Sequence, residues 1–141
     1  MTDAAIETWG AGRVGVHLSP RADLHDMGDD NLAETFTYVA RELGKRGIAF
    51  ICSREKEGAD SLGPQLKEAF GGPYIANERF TKDSANALLA SGQADAVAFG
   101  VPFIANPDLP ARLQADAPLN EARPELFYAK GPVGYIDYPT L

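Results

Sequence analysis

Apolar and polar positions follow two rhythms along the chain, and the switch between them recurs. In residues 13–19, Val14, Val16 and Leu18 fall on one side of an extended segment and Gly15, His17 and Ser19 on the other. That period of two is expected of a strand with one covered face. Pro20 ends it, and a long polar stretch over residues 21–30 follows. Leu32, Phe36, Val39, Ala40 and Leu43 then form the stripe of an amphipathic helix. This helix is predicted over residues 31–45, with Asp29 or Asp30 as its cap and Gly47 just past its end.

The same strand-then-helix pair appears three more times. Residues 48–53 are apolar without alternation, as in a parallel strand covered on both faces. A short helix over 64–70 stops at Gly71-Gly72. Residues 74–77 form a third strand, and a helix over 81–91 follows it, with Thr81 as N-cap and Gly92 near its end. Residues 96–99 form the fourth strand. Asn106-Pro107 reads as the N-cap and first position of a helix ending near Ala115. A further helix over Thr2–Trp9 precedes the first strand, and the tail over 118–141, rich in Pro, Gly and Tyr, is expected to be irregular but ordered.

Strands separated by helices imply right-handed crossovers and a parallel sheet, an α/β chain. Two architectures satisfy the pattern. One is an open four-stranded sheet with helices on both faces; the other is half of an eight-stranded barrel. No linker-like segment divides the sequence, so a single domain over residues 1–141 is expected.

Composition narrows the function classes. Hydrophobic residues are 45% and charged residues 23% of the 141, which is globular rather than disordered. The net charge of −7 argues against a surface that tracks nucleic-acid phosphates. No apolar run approaches the ~20 residues of a membrane helix. The first ten residues lack the basic start of a secretory leader, so a cytoplasmic location is expected. Cys52 is the single cysteine, which excludes a disulfide scaffold and a cysteine zinc site. In its apolar strand it reads as a small buried hydrophobe. His25, Asp26, Asp29 and Asp30 match no metal-ligand spacing and read as a polar loop and helix cap. No metal is expected. Phosphate-loop, dinucleotide, serine-hydrolase and zincin motifs are absent from the sequence.

Two segments separate the two architectures. The run Ala96-Val97-Ala98-Phe99-Gly100-Val101-Pro102-Phe103-Ile104-Ala105-Asn106-Pro107-Asp108-Leu109 resembles the last-strand motif of the Old Yellow Enzyme family. The run Phe127-Tyr128-Ala129-Lys130-Gly131-Pro132-Val133-Gly134-Tyr135-Ile136-Asp137-Tyr138-Pro139 resembles that family's ending. Arg13-Val14-Gly15-Val16-His17-Leu18-Ser19-Pro20 and Tyr74-Ile75-Ala76-Asn77 match in the same order and spacing. Within that family the chain resembles the bacterial N-ethylmaleimide reductases. The resemblance implies a (β/α)8 TIM-barrel fold, of which this chain is similar to strands five to eight, a C-terminal half-barrel. It also implies FMN as cofactor, NAD(P)H as reductant and a small activated alkene as substrate.

The family's N-terminal half supplies further flavin contacts, the pair that binds the substrate's electron-withdrawing group, and the tyrosine proton donor. No catalytic residue is therefore expected in this chain, and little or no turnover by it alone. The expected partner is an N-terminal half-barrel, on the same or a separate chain, or a second copy of this one. In the second case the chain is a non-catalytic half-barrel that at most binds flavin.

The resemblance assigns roles residue by residue. His17 stands where the family commonly has an arginine near the flavin's pyrimidine edge, and it can donate a hydrogen bond there; read from the residues alone, it is an interior histidine satisfied by a carbonyl. Asn77, Glu78 and Arg79 stand at the family's glycine-rich phosphate turn. The glycines are missing, Arg79 can offer a guanidinium instead, and Glu78 must point away from a dianion. The bland reading of these three is a solvated polar turn. Gly100 lets the backbone approach the phosphate. Val101 stands where the family often has arginine or lysine, and valine cannot pair with phosphate. Tyr135 resembles a tyrosine near the substrate pocket. Tyr128, Tyr135 and Tyr138 are otherwise an aromatic cluster pinning the tail.

Overall fold

The structure is a computed structural model, described here for residues 1–21, 29–56 and 58–141. Helix α1 (Thr2–Trp9) leads through a 3-10 turn (Ala11–Arg13) into β1 (Gly15–Leu18). The alternation then runs α2 (Leu32–Lys45), β2 (Phe50–Arg54), α3 (Gly63–Phe70), β3 (Tyr74–Asn77), α4 (Lys82–Ala90) and β4 (Ala96–Ala98). A short α5 (Val101–Ala105), α6 (Leu109–Ala115) and a 3-10 turn (Pro124–Leu126) complete the chain. Two compact units result, Met1–Ala98 and Phe99–Leu141.

Strand order decides between the two architectures. The sheet is β1-β2-β3-β4, each strand beside its successor and every pair parallel. Right-handed crossovers that always step the same way put every helix on one face, whereas a doubly wound sheet must reverse direction. Burial agrees. The register places Val16, Leu18, Ile51, Ser53, Tyr74 and Ala76 on one face. Ile51, Ser53, Tyr74 and Ala76 there are fully or nearly buried, alongside Ala40, Leu43, Leu66 and Phe70 of the helices. The opposite face carries Gly15, His17, Phe50, Cys52, Arg54, Ile75, Asn77, Ala96 and Ala98. Gly15, His17, Phe50 and Ala96 on it are exposed. A singly wound sheet with one naked face is the half-barrel, strands in barrel order with their helices outside.

Local chemistry explains the element ends. Thr81 caps α4 in a reciprocal box: its Oγ1 accepts from the Ser84 N–H at 3.2 Å, and Ser84 Oγ accepts from the Thr81 N–H at 3.0 Å. Gly71 ends α3 in the left-handed conformation (φ 70°). Two expected caps are corrected. Neither Asp29 nor Asp30 caps α2; Asn31 takes that position, and Asp29 Oδ1 instead accepts the Asn31 N–H at 2.6 Å. Asn106 does not start α6, which begins two residues past Pro107. The Asn106 side chain, fully buried, donates to the Pro102 carbonyl and accepts the Asn120 N–H.

The second unit is organised around Arg112, which is almost fully buried. Its Nε donates to Asp108 Oδ1 at 2.7 Å, Nη1 to the Pro118 carbonyl at 2.6 Å and Nη2 to the Pro139 carbonyl at 2.9 Å. The tail is thus irregular yet ordered. Of the three tyrosines expected to pin it, Tyr138 does so: it is buried, its hydroxyl accepts the Arg123 N–H, and its ring lies under the Arg123 guanidinium. Tyr128 is 98% exposed and pins nothing. Among the described residues no helix is long and apolar enough to cross a membrane.

Candidate functional site

Four parallel strands bring their C-terminal ends to one edge, where backbone and loop groups gather in α/β folds. Arg54, Asn77 and Ala98 are register partners at that edge. His17 pairs with Cys52, two positions before Arg54, on the same open face. The alternation of β1 put His17 on that face, and the structure places it there, exposed and away from the helices. Among the described residues no group of histidine, cysteine and acidic side chains could hold a metal. His25 and Asp26 lie outside the described residues.

The turn after β3 departs from its sequence. Glu78 has φ 111° and Arg79 φ 57°, a backbone that favours glycine. The turn keeps a glycine-type conformation although no glycine occupies it. Asn77 steadies it by donating its side-chain amide to the Ala98 carbonyl at 2.9 Å; this amide is committed to joining β3 and β4. Glu78 Oε2 accepts from Arg54 Nε at 2.7 Å, and its Oε1 lies 3.4 Å from Arg79 Nε. The Arg54 hydrogen bond, above all, holds the Glu78 carboxyl below the usual carboxylate range. Arg54 is the residue that sequence reasoning missed. Alternation along β2 would have put it on the face of Cys52, but the Glu78 pairing needs the β2–β3 register.

In the second unit Gly100 has no atom within 4 Å of where a Cβ would stand. Val101 opens α5 with its side chain half exposed, so its polar contribution is a backbone N–H. Tyr135 is partly exposed. Cys52 is buried, and burial pushes its thiol up, as expected of an inert small hydrophobe.

A cavity of about 240 Å³ lies on the helix side of β2 and β3. Glu55, buried beside it, accepts from Ser61 Oγ at 2.7 Å and from the Leu62 N–H at 3.1 Å. These bonds fasten the start of α3. Burial pushes the neighbouring Tyr74 phenol up to about 12. Of the predicted site residues only Asn77 lines the cavity; His17, Glu78, Arg79, Gly100, Val101 and Tyr135 do not.

The donor set fits a phosphorylated ring system. Two guanidiniums flank the turn at 78–79, which suits a phosphate. His17 offers a ring nitrogen deeper on the same face, where it suits a planar polar edge. The same-face residues between and beside them, Phe50, Cys52 and Ile75, are apolar.

The sequence model of the NADH:flavin oxidoreductase / NADH oxidase family matches residues 2–120. The chain is 39% identical to 12-oxophytodienoate reductase 2 of Arabidopsis thaliana, over all of this chain and 40% of that protein. It is 37% identical to a probable flavin mononucleotide-dependent alkene reductase of Leishmania infantum, over 99% of this chain and 39% of that one. Morphinone reductase, solved with tetrahydroNAD, superposes with a TM-score of 0.92 at 41% identity, over 99% of this chain and 39% of its own. The chain spans about 40% of the length of the curated relatives it matches.

Proposed function

The chain belongs to the NADH:flavin oxidoreductase / NADH oxidase family, and from that premise we propose that it forms one half of an FMN-dependent alkene-reductase barrel, its C-terminal half. The observation that carries this reading is the guanidinium-flanked, glycine-shaped turn at 78–79 with His17 deeper on the same naked face.

In this reading Arg54 and Arg79 hold the phosphate of FMN. For Gly100 and Val101 the family resemblance implies backbone N–H groups toward FMN, and Val101 brings no charge. Asn77 keeps the turn in place through β4. His17 donates a hydrogen bond to the pyrimidine edge of the ring. Tyr135 borders the substrate. Bound FMN supplies hydride transfer, from NADH or NADPH to an activated alkene such as N-ethylmaleimide. The family resemblance implies a proton donor in the other half of the barrel, so in this reading that proton comes from outside this chain.

The open face must also be covered. Phe50, Ile75, Ala96 and Ala98 make a largely apolar surface between two strand edges, β1 and β4. Such edges invite further strands. The partner proposed is the complementary half of the barrel, on this or another polypeptide. A second copy of this chain would bury the same face without supplying a proton donor.

The test is NAD(P)H-dependent reduction of N-ethylmaleimide by the purified 141 residues with added FMN. Turnover is expected only once the complementary segment of a relative is supplied. Turnover by the 141 residues alone overturns the proposal, and native mass separates the hetero-pair from a self-pair.

A further inference from the structure

The Arg54–Glu78–Arg79 cluster contains an anion already. Glu78 occupies a backbone conformation that suits glycine, at φ 111°, and its carboxylate is gripped from two sides. Arg54 Nε lies 2.7 Å from one oxygen and Arg79 Nε 3.4 Å from the other. A carboxylate and a phosphate present the same oxygen fork to a guanidinium. The three side chains are also partly exposed, at 38% for Arg54, 23% for Glu78 and 75% for Arg79. Ion pairs at such exposure are weak. A dianion with three oxygens can therefore replace a single carboxylate between the same two cations.

We propose that the Glu78 carboxylate is the resident anion of the phosphate site, and that a phosphate monoester binds by displacing it from Arg54 and Arg79. The inference rests on the flavin reading above and deepens it. Glu78 becomes a built-in competitor that lowers affinity for the phosphate end of the ligand and leaves the ring end untouched. No bond is made or broken; one anion exchanges for another.

Equilibrium fluorescence titration of the full chain with FMN and with riboflavin, which lacks the phosphate, tests the exchange. Glu78→Gln removes the competing charge and is expected to bind FMN about tenfold more tightly than the wild type, a factor set by one charge near a dianion at a partly exposed site. Riboflavin binding is expected to stay constant. Glu78→Gly, which suits the local backbone, is expected to gain at least as much, so a folding defect in one variant does not decide the result. Adding Arg54→Gln to Glu78→Gln is expected to abolish the gain. Equal FMN affinity in the wild type and both Glu78 variants, with FMN still preferred over riboflavin, overturns the displacement and leaves the flavin site standing. No preference for FMN over riboflavin in any of them overturns the phosphate site itself, and the displacement with it.

Discussion

Replacing Gly44 by alanine measures how tightly the outer layer of the half-barrel is closed. Gly44 lies in α2 where that helix packs against α3. A methyl group there would stand 2.2 Å from the Phe70 carbonyl oxygen, 3.1 Å from its carbonyl carbon and 3.3 Å from its Cα. All three are backbone atoms, so no side-chain rotation relieves the clash. Reaching even 3.0 Å needs a retreat of about 0.8 Å between the helix and the end of α3, enough to forfeit a quarter to a half of the dispersion energy of contacts across the gap. Alanine in a helix is worth about 1 kcal/mol over glycine, and overpacking a close contact costs about 1–3 kcal/mol. The clash wins, because the displaced helices also carry the buried Ala40, Leu43, Leu66 and Phe70. Because the contact is backbone on backbone, the cost falls in the upper part of that range, about 2–3 kcal/mol, and the expected net loss is about 1–2 kcal/mol. Urea unfolding followed by far-UV circular dichroism reads it as a lower midpoint at unchanged slope. Gly12→Ala, with open space around the new methyl, is the control and is expected within about 0.5 kcal/mol of the wild type. A Gly44→Ala chain as stable as the wild type refutes the reasoning.

Thr81→Ala removes the Oγ1 half of the capping box and leaves the backbone N–H to Ser84 Oγ bond, so the same unfolding assay is expected to show a loss of about 1 kcal/mol. Arg112→Met removes the donors to the Pro118 and Pro139 carbonyls; at about 1 kcal/mol per hydrogen bond, the tail is expected to be cut faster in limited proteolysis while the first unit keeps its rate. Asp95, Asp108 and Asp137 are held below the ordinary 3.8 by hydrogen bonds, foremost from the Tyr74 N–H, Arg112 and Arg123 respectively. Their folded-state values are depressed, so the stability they contribute is complete above the unfolded value and is lost as pH falls from about 4 through the lowered values. Thermal melts are expected to hold steady near neutrality and drop below about pH 4, with Asp95→Asn shallower; a drop equally steep in the variant counts against Asp95's share.

The fold was legible where the chain obeys one rhythm at a time. Val14, Val16 and Leu18 set the covered face of β1, and that alternation alone put His17 on the open face. β3 matched over Tyr74–Asn77, because its flanking turns are sharp. α5 was not legible: Val101–Ala105 is five residues with a proline at its second position, too short to show a period. Asn106 carries a cap's residue type, yet its burial turns the side chain to Pro102 and Asn120. The heart of the site was half legible. Arg79 can be argued from charge, but the expectation that Glu78 points away is corrected: its carboxylate lies between Arg54 and Arg79. Arg54 reaches Glu78 across 24 residues, a pairing only strand register creates. The glycine-type turn without glycine left no trace in the residue types.

The most direct measurement is the visible difference spectrum of FMN as the full chain is added at equilibrium. A saturable shift of the flavin band, weaker or absent for riboflavin, is the result expected if the edge formed by β1 to β4 holds the phosphate and His17 meets the ring. A spectrum identical to free FMN at the highest protein concentration contradicts the claim that this chain carries part of a flavin site.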